Sequence, residues 1–291
     1  MSRLVISGYY GFGNAGDEAM LAAILEAILE VVPEADITVI SGNPRHTAEK
    51  HGVKAVGRVL NHVDYITVRD ERSKGELLSM GVTKVPIEVT ADAVLAMHPV
   101  DTTIGQRLLK DYKLSGVKYR LGVSVRNWKN CTAYRASLAN ALDRLTEELG
   151  TDIIFIPMQH PDDTAEAKAV EALMTHKPIV LAQSYTTTEL LALTGAMDAL
   201  VGVRLHALVF ASLMEKPVVG ISYDPKIVNF LHMIGEEPVG TLDDVSADSL
   251  FTAVRDSLED VQRRRRALER IRLLREESLK NAHRALALLS K

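Results

Sequence analysis

The sequence has 291 residues, of which 47% are hydrophobic and 25% are charged. This is the composition of an ordinary globular protein, and the length suits two α/β domains better than a single core. The net charge of −4 argues against a nucleic-acid binder, which would usually carry a basic face. Cys131 is the only cysteine, so neither an internal disulfide nor a cysteine-based zinc site can form, and we expect a reducing compartment.

The hydrophobic pattern predicts a cytoplasmic protein. Met1–Ser7 has neither the long apolar run nor the cleavage site of a signal peptide. No stretch approaches the roughly 18–20 apolar residues that span a bilayer. Peripheral contact with the inner face of the membrane stays open, because the tail carries a basic cluster, Arg263–Arg266, that could meet anionic lipid.

Up to residue 97 the pattern predicts a small N-terminal Rossmann-like domain. Short apolar runs predict strands, and one face of apolar residues before Pro33 predicts a helix. The predicted strands are Leu4–Ser7, Asp36–Ser41, Val53–Val56, Tyr65–Val68 and Ile87–Thr90, and the helices are Asp17–Val31 and Thr47–Lys50.

Residues 98–260 repeat this rhythm and predict a C-terminal Rossmann-like domain with six strands. Strands that alternate with helices favour a parallel sheet. Five strands are assigned, at Arg120–Val125, Asp152–Ile156, Pro178–Leu181, Ala199–Val203 and Val218–Ser222. The helices are Leu138–Leu149, Ala165–Met174, Thr187–Thr194, His206–Met214 and one from Pro225, capped by Asp224 and ended by Gly235. The rest, Ala247–Leu289, is largely helical, and we expect residues 261–291 to pack across both domains.

The loop after the first strand contains Gly11-x-Gly13-x-x-Gly16, which matches the dinucleotide-binding fingerprint. Two features argue against NAD. The second strand ends in Ser41-Gly42-Asn43, without the required acidic residue, and the aromatic side chains of Tyr10 and Phe12 would crowd a pyrophosphate. Aromatic residues beside glycines suit stacking on a sugar ring, and the alternative is a tight turn without a ligand.

Cationic residues follow three of the predicted strands in the second domain. Of the five strands assigned in this domain, Arg126 follows the first. The turn Arg204-Leu205-His206 follows the fourth strand, and Lys226 follows the fifth. In an open α/β sheet, ligands bind outside the carboxyl ends of the strands, and a helix start adds N–H donors. This predicts a site for a phosphate or carboxylate.

Each of these residues also has a purely structural interpretation. Arg204 could form a buried ion pair with Asp198 or another acid, and His206 could be a helix cap. Lys226 could be an exposed helix residue. Asp162 and Asp163 could bind Mg²⁺, but capping of the next helix is favoured. We therefore expect neither a metal nor a cofactor.

Six segments together resemble the polysaccharide pyruvyl transferases, most closely the bacterial CsaB type. Each is weak alone, but the set is specific and extends along the chain to about Gly240. The segments are Ile6–Glu18, Thr67–Asp70, Gly122–Arg126, Pro157–Asp163, Val201–His206 and Gly220–Lys226.

The resemblance implies a fold like that of GT-B glycosyltransferases, with two Rossmann-like domains facing across a cleft. It implies transfer of pyruvate from phosphoenolpyruvate to a sugar, commonly as a 4,6-ketal on N-acetylmannosamine of a lipid-linked ManNAc-GlcNAc precursor. Such precursors lead to a secondary cell-wall polymer that anchors an S-layer.

On this interpretation the second domain binds phosphoenolpyruvate and the first binds the acceptor. His206 is the candidate general acid, because a bound anion would favour its protonated form, and Arg204 is the other candidate catalytic residue. The phosphoenolpyruvate-binding residues are Arg69, Arg126, Arg204, Leu205, His206 and Lys226, and the acceptor-binding residues are Tyr10, Phe12, Asn14 and Asp17.

Two other functions remain open. A GT-B glycosyltransferase would bind a nucleotide sugar and not phosphoenolpyruvate. A non-catalytic sugar-binding module would not need the cluster of cations, since a neutral sugar requires no such charge.

The first domain departs from the family at one point. The family has a further stretch there, with a Gly-Gly-Gly-Ser loop and a second helix–strand pair, whereas here Gly57 is joined directly to Arg58. We interpret the junction as a gap, which predicts that the natural chain has a mass well above the 31.9 kDa of this sequence. Mass spectrometry of the native protein tests this, and a mass equal to 31.9 kDa would instead mean a true deletion.

Overall fold

A computed structural model describes residues 3–8, 15–33, 36–41, 60–61, 63–112, 114, 118–129 and 131–289. These residues have an α/β arrangement with parallel strands. The chain divides into two compact units, residues 1–97 with 272–291 and residues 98–271. The predicted strand Val53–Val56, the predicted helix Thr47–Lys50 and the junction at Gly57 lie outside the described residues.

The first unit contains two parallel strand pairs in the part of the chain that is described. In the first pair, β1 (Arg3–Gly8) lies beside β2 (Asp36–Ser41), and α1 (Ala15–Val31) connects them in sequence. In the second pair, β3 (Ile66–Val68) lies beside β4 (Ile87–Val89).

The helix α2 (Glu71–Ser79) between β3 and β4 was missed by the hydrophobic pattern. None of its residues is buried, so no apolar stripe marks it. It starts where it does because the Asp70 side chain accepts a hydrogen bond from the Ser73 backbone nitrogen. A short 3₁₀ helix, Ala93–Ala96, follows β4.

The second unit contains a five-stranded parallel sheet with the order β7-β6-β5-β8-β9 among the described residues. The strands are β5 (Tyr119–Ser124), β6 (Thr151–Phe155), β7 (Ile179–Val180), β8 (Ala199–Gly202) and β9 (Val218–Gly220). Six strands were expected in this unit, but its described residues form five. Before β5 the described chain forms a helix, α3 (Thr102–Leu108). Asp101 caps this helix with a 2.9 Å hydrogen bond from the Thr103 nitrogen.

Six further helices lie between the strands of the second unit or after them. They are α4 (Ala133–Leu149), α5 (Asp162–Glu171), α6 (Thr187–Gly195), α7 (Leu205–Leu213), α8 (Pro225–Ile234) and α9 (Ala247–Glu259). The predicted caps of α8 are confirmed. Asp224 Oδ1 accepts a 3.0 Å hydrogen bond from the Lys226 nitrogen, and Gly235 ends the helix in the left-handed region, with φ of 80°.

The hydrophobic core of the second unit lies between the sheet and two helices. Leu121 and Val123 of β5 pack with Leu138 and Leu142 of α4, and Phe251 of α9 joins the same cluster. Because the core holds one face of the sheet, the strands keep a fixed register and their carboxyl ends are aligned.

The last helix, α10 (Val261–Leu289), contributes residues to both units. In the second unit, Arg263 is bound to the buried carboxylate of Glu236. In the first unit, Ala282 packs against Ala27 and Ile28 of α1. None of the described helices has the length and apolar character needed to cross a membrane.

One ion pair joins α10 to β4 within the first unit. Arg284 donates hydrogen bonds of 2.6 and 3.0 Å to the carboxylate of Glu88, and the Tyr65 hydroxyl donates a third, of 2.7 Å. These bonds, those from Arg284 most of all, lower the pKa of Glu88 from 4.5 to about 2. A lowered pKa in the folded state means that the ionised carboxylate stabilises the fold above about pH 4.5, and that this stability is lost as the pH falls towards 2.

We predict that Glu88→Gln lowers the free energy of unfolding by about 1 kcal/mol at pH 7, a modest value because Arg284 is half exposed and solvent screens the pair. The difference from the wild type should shrink as the pH falls from 4.5 to 2. Urea unfolding across this pH range measures both effects. The control is Glu76→Gln, which removes an exposed helix pair with Arg72 and should cost less than about 0.5 kcal/mol. A pH-independent difference at Glu88 would contradict the prediction.

Candidate active site

The carboxyl ends of four adjacent strands carry the candidate residues of the second unit. The order β6-β5-β8-β9 places the loop of Gln159 and Asp163 after β6 and Arg126 after β5. Arg204 and His206 follow β8, and Lys226 follows β9. Since parallel strands end at the same edge of a sheet, the cations expected from sequence occur at one edge.

Arg126 is held by two aromatic side chains. Its Nη1 donates a 2.6 Å hydrogen bond to the hydroxyl of Tyr223, and its Cζ lies 5.1 Å from the ring centroids of both Tyr223 and Trp128. The two rings are 4.6 Å apart. Among the described residues, none accepts a hydrogen bond from its buried Nε. A buried donor without an acceptor costs about 1–3 kcal/mol, so this nitrogen suits an anionic ligand.

Lys226 adds a second cation beside the same tyrosine. Its Nζ lies 5.7 Å from the ring centroid of Tyr223 and 3.9 Å from Asp224 Oδ2. Its side chain is 34% exposed, so the ammonium group can reach a ligand from solvent. Two positive charges therefore lie near Tyr223, one from the loop after β5 and one from α8.

Arg204 forms the buried ion pair that was the alternative interpretation, although its partner is not Asp198. Its Nε donates a 3.0 Å hydrogen bond to Asp163, its Nη2 binds the other oxygen of that carboxylate, and Nη2 also donates to Gln159 at 3.1 Å. Asp198 instead accepts a 2.8 Å bond from the Arg120 backbone nitrogen. The residue is 8% exposed.

The carboxylate of Asp163 binds the loop before α5 and does not cap that helix. Pro161 is at the cap position. Asp163 Oδ2 accepts hydrogen bonds of 3.0 and 2.9 Å from the backbone nitrogens of Met158 and Gln159. Burial raises the pKa of Asp163, and the Arg204 guanidinium and these two N–H groups oppose the rise. The carboxylate of Asp163 is thus bound by groups inside the protein, namely two backbone N–H groups and the guanidinium of Arg204.

His206 is the second residue of α7, and the cap position belongs to Arg204. The alternative interpretation of His206 as a helix cap is therefore wrong. Leu205, the first residue of the helix, is buried, whereas His206 is partly exposed. The first turn of a helix favours a bound anion, and His206 lies in the first turn of α7.

A group of three side chains behind Arg126, those of Tyr134, Arg135 and Glu166, was not foreseen from the sequence. The buried Tyr134 hydroxyl donates a 2.6 Å hydrogen bond to Glu166, and its oxygen lies 3.4 Å from the carbonyl oxygen of Arg126. Arg135 donates two bonds to the same carboxylate, of 2.7 and 2.6 Å. Burial is the main cause of a raised pKa at Tyr134, so this hydroxyl keeps its proton. An acidic residue on the apolar face of α5 was the available signal.

The remaining predicted site residues belong to the first unit. Arg69 Nη1 lies 3.4 Å from Asp92 Oδ2, and its Nε lies 3.7 Å from Asp70. Asp17 lies in α1. The other predicted acceptor-binding residues, Tyr10, Phe12 and Asn14, lie outside the described residues.

We predict that Asp163→Ala destabilises the protein by about 3–5 kcal/mol, because it leaves the buried guanidinium of Arg204 without its partner. The neighbouring exposed carboxylate provides the control, and Asp162→Ala should change stability by about 0.5 kcal/mol or less. The double variant Asp163→Ala with Arg204→Leu should recover part of the loss, since no buried charge is then unpaired. Unfolding midpoints in urea measure all three, and equal losses for the two single variants would refute the role of Asp163.

Solved structures with the same fold are glycosyltransferases and epimerases of GT-B type. MnaA of S. aureus, solved with UDP, is 12% identical with a TM-score of 0.64, over 96% of this chain and 94% of that one. HepE of Anabaena, solved with UDP-glucose, is 11% identical with a TM-score of 0.64, over 100% of both chains. ADP-heptose heptosyltransferase II of E. coli is 14% identical with a TM-score of 0.54, over 90% and 100%. The protein therefore has a GT-B-like α/β fold.

The sequence model of the polysaccharide pyruvyl transferase family matches residues 49–225, which is more than half of the chain. The chain belongs to this family, and it is an enzyme of the transferase class. A comparison with curated proteins found no match.

Proposed function

We propose that this enzyme is of the CsaB type and transfers pyruvate from phosphoenolpyruvate to a sugar. The acceptor is N-acetylmannosamine in a lipid-linked ManNAc-GlcNAc precursor of a secondary cell-wall polymer, and the product is a 4,6-ketal. One observation carries the proposal. The guanidinium of Arg126 lies against the rings of Trp128 and Tyr223, and no described residue accepts a hydrogen bond from its buried Nε.

The two anionic groups of phosphoenolpyruvate match the charges at this edge of the sheet. Arg126 binds one anionic group, and Lys226 with the N-terminus of α7 binds the other. Arg204 takes a positioning role, since Asp163 and Gln159 already occupy two of its nitrogens. Through the backbone it fixes Leu205 and His206. Arg69 remains a proposed contact from the first unit.

His206 acts as the general acid. It donates its proton to the methylene carbon of phosphoenolpyruvate, which becomes a methyl group. One sugar hydroxyl bonds to the central carbon and returns a proton to the imidazole. The second hydroxyl then bonds to the same carbon, the carbon–oxygen bond to phosphate breaks, and the released phosphate takes the second proton. The products are the ketal and inorganic phosphate, with no net oxidation.

The acceptor side involves Tyr10, Phe12, Asn14 and Asp17 of the first unit. Aromatic rings stack on the apolar face of a sugar, and polar groups orient its hydroxyls. A lipid-linked acceptor also requires approach to a membrane surface, which the basic segment Arg263–Arg266 would assist. Arg263 contributes least, because it is already bound to Glu236.

The test is an assay with phosphoenolpyruvate and the ManNAc-GlcNAc lipid diphosphate, which follows phosphate release and the gain of pyruvate mass. We predict that His206→Ala lowers kcat on the order of 10²–10⁴-fold. Arg126→Lys should mainly raise the KM for phosphoenolpyruvate, because a point charge cannot replace bidentate binding. The control is His232→Ala. His232 is half exposed and lies in the last turn of α8, whereas Lys226 lies in the first turn. Near-normal turnover of His206→Ala would exclude its role as the acid.

A nucleotide-sugar glycosyltransferase is the second candidate, because two of the structures with the same fold were solved with UDP or UDP-glucose. Isothermal titration distinguishes the two functions. The glycosyltransferase would bind a UDP-sugar and would release no phosphate from phosphoenolpyruvate.

A further inference from the structure

A pocket of about 420 Å³ lies in the second unit, beside the side chains of Arg126 and Lys226. Its volume lies within the range of small-molecule sites. Its wall includes two aromatic rings, amide and hydroxyl groups, a thiol and carboxylates. The lining residues that carry the argument are Trp128, Cys131, Tyr223, Asn229, Thr241 and Asp243.

The far wall of the pocket is attached to the end of β9. Ser222 forms a parallel bridge with Thr241. The Ser222 nitrogen donates a 2.9 Å hydrogen bond to the Gly240 oxygen, and the Leu242 nitrogen donates a 3.1 Å bond to the Ser222 oxygen. The segment that carries Thr241 and Asp243 is therefore held at a fixed distance from Tyr223, so the pocket is pre-formed.

The pocket shares its aromatic wall with the proposed phosphoenolpyruvate site. Trp128 and Tyr223 line the pocket, and the same two rings hold the guanidinium of Arg126. A ligand in the pocket is therefore a neighbour of whatever anion Arg126 binds. In a transfer reaction, that neighbour is the acceptor.

The charge of the pocket selects the kind of ligand. Among the described residues that line it, none is cationic, and Asp224 and Asp243 are acidic. The carboxylate of Asp243 disfavours a phosphate or diphosphate, and that of Asp224 does so less strongly because Lys226 lies 3.9 Å from it. Both carboxylates can accept hydrogen bonds from hydroxyl and amide groups, while the rings of Trp128 and Tyr223 favour the C–H face of a sugar. Cys131 lies 3.4 Å from Asp243 Oδ1. Burial is the main cause of a raised pKa at this thiol, and the hydrogen bond to Asp243 raises the pKa further. The thiol therefore forms a neutral part of the wall.

We propose that this pocket binds an uncharged sugar ring of the acceptor saccharide, and that Asp243 and Asn229 determine its specificity. The proposal rests on the proposed function, since it names the substrate class of a second subsite in the same enzyme. It places part of the acceptor on the second unit, in addition to the residues proposed in the first.

Trp128 is the only tryptophan in the sequence, so its fluorescence reports directly on this pocket. The probe is the ManNAc-GlcNAc disaccharide without its lipid diphosphate, titrated into the full chain. We expect a saturable change in emission, with a Kd that Asp243→Asn and Asn229→Ala each raise at least about tenfold, the effect of losing about 1.4 kcal/mol of binding. The matched control is Asp248→Asn, which removes an exposed carboxylate on α9 and should leave the Kd unchanged.

The same variants are then assayed for pyruvate transfer. We expect the KM for the acceptor to rise and the KM for phosphoenolpyruvate to stay unchanged. Circular dichroism checks that each variant folds. If Asp243→Asn does not fold, Asn229→Ala still provides the test. An unchanged acceptor KM in both variants, with normal phosphoenolpyruvate turnover, refutes the pocket assignment and leaves the proposed function intact.

If the enzyme does not turn over phosphoenolpyruvate, the fluorescence titration still tests the sugar-binding pocket separately from the proposed function. Without any phosphoenolpyruvate turnover the proposed function fails, yet a saturable disaccharide response that Asp243→Asn weakens still supports a sugar-binding pocket. A response to UDP with none to the disaccharide overturns the inference, because the pocket would then accept a nucleotide in spite of its carboxylates.

Discussion

The carboxylate of Asp163 joins three parts of the second unit in one buried contact. It accepts hydrogen bonds from the backbone of the loop after β6 and binds the guanidinium of Arg204, which stands between β8 and α7. Removing either partner would leave a buried charge without compensation, at a cost of several kcal/mol. The start of α7, and with it the position of His206, therefore depends on this pair. The proposed role of His206 as a proton donor would require such rigid support.

Glu166, one turn further along α5, gives similar support to the loop after β5. It accepts hydrogen bonds from Tyr134 and Arg135, and the Tyr134 hydroxyl oxygen lies beside the backbone oxygen of Arg126. Both acids face the interior of the protein from one short helix. Their charges are consumed by internal partners, so they add no negative potential that would repel an anionic substrate. Among the cations described at this edge of the sheet, α5 binds Arg204, and it does not bind Arg126 or Lys226.

Much of this arrangement could be predicted from local sequence signals. The strands of the second unit, the caps of α8 and the presence of cations after β5, β8 and β9 all follow from hydrophobic runs, capping residues and strand ends. The partner of Arg204 could not be predicted, because Asp163 is 41 residues away whereas Asp198 is close in sequence. The choice depends on the strand order, which places β6 and β8 on either side of β5. The pairing of Trp128 with Tyr223 depends on the same order, and apolar runs do not encode it.

The aromatic pair contributes both to the cationic edge of the sheet and to the wall of the pocket. The guanidinium of Arg126 lies over both rings, and the ammonium group of Lys226 lies over Tyr223. These cation–π contacts stabilise both side chains without adding a competing anion. In the pocket the same rings form an apolar surface next to Asp224 and Asp243. On the proposed function, Arg126 and Lys226 would attract the anionic donor, and the pocket would favour a neutral acceptor. A transferase that must keep water from the donor but admit a sugar hydroxyl benefits from such a wall, because a sugar ring stacked on it excludes solvent where the new bond forms.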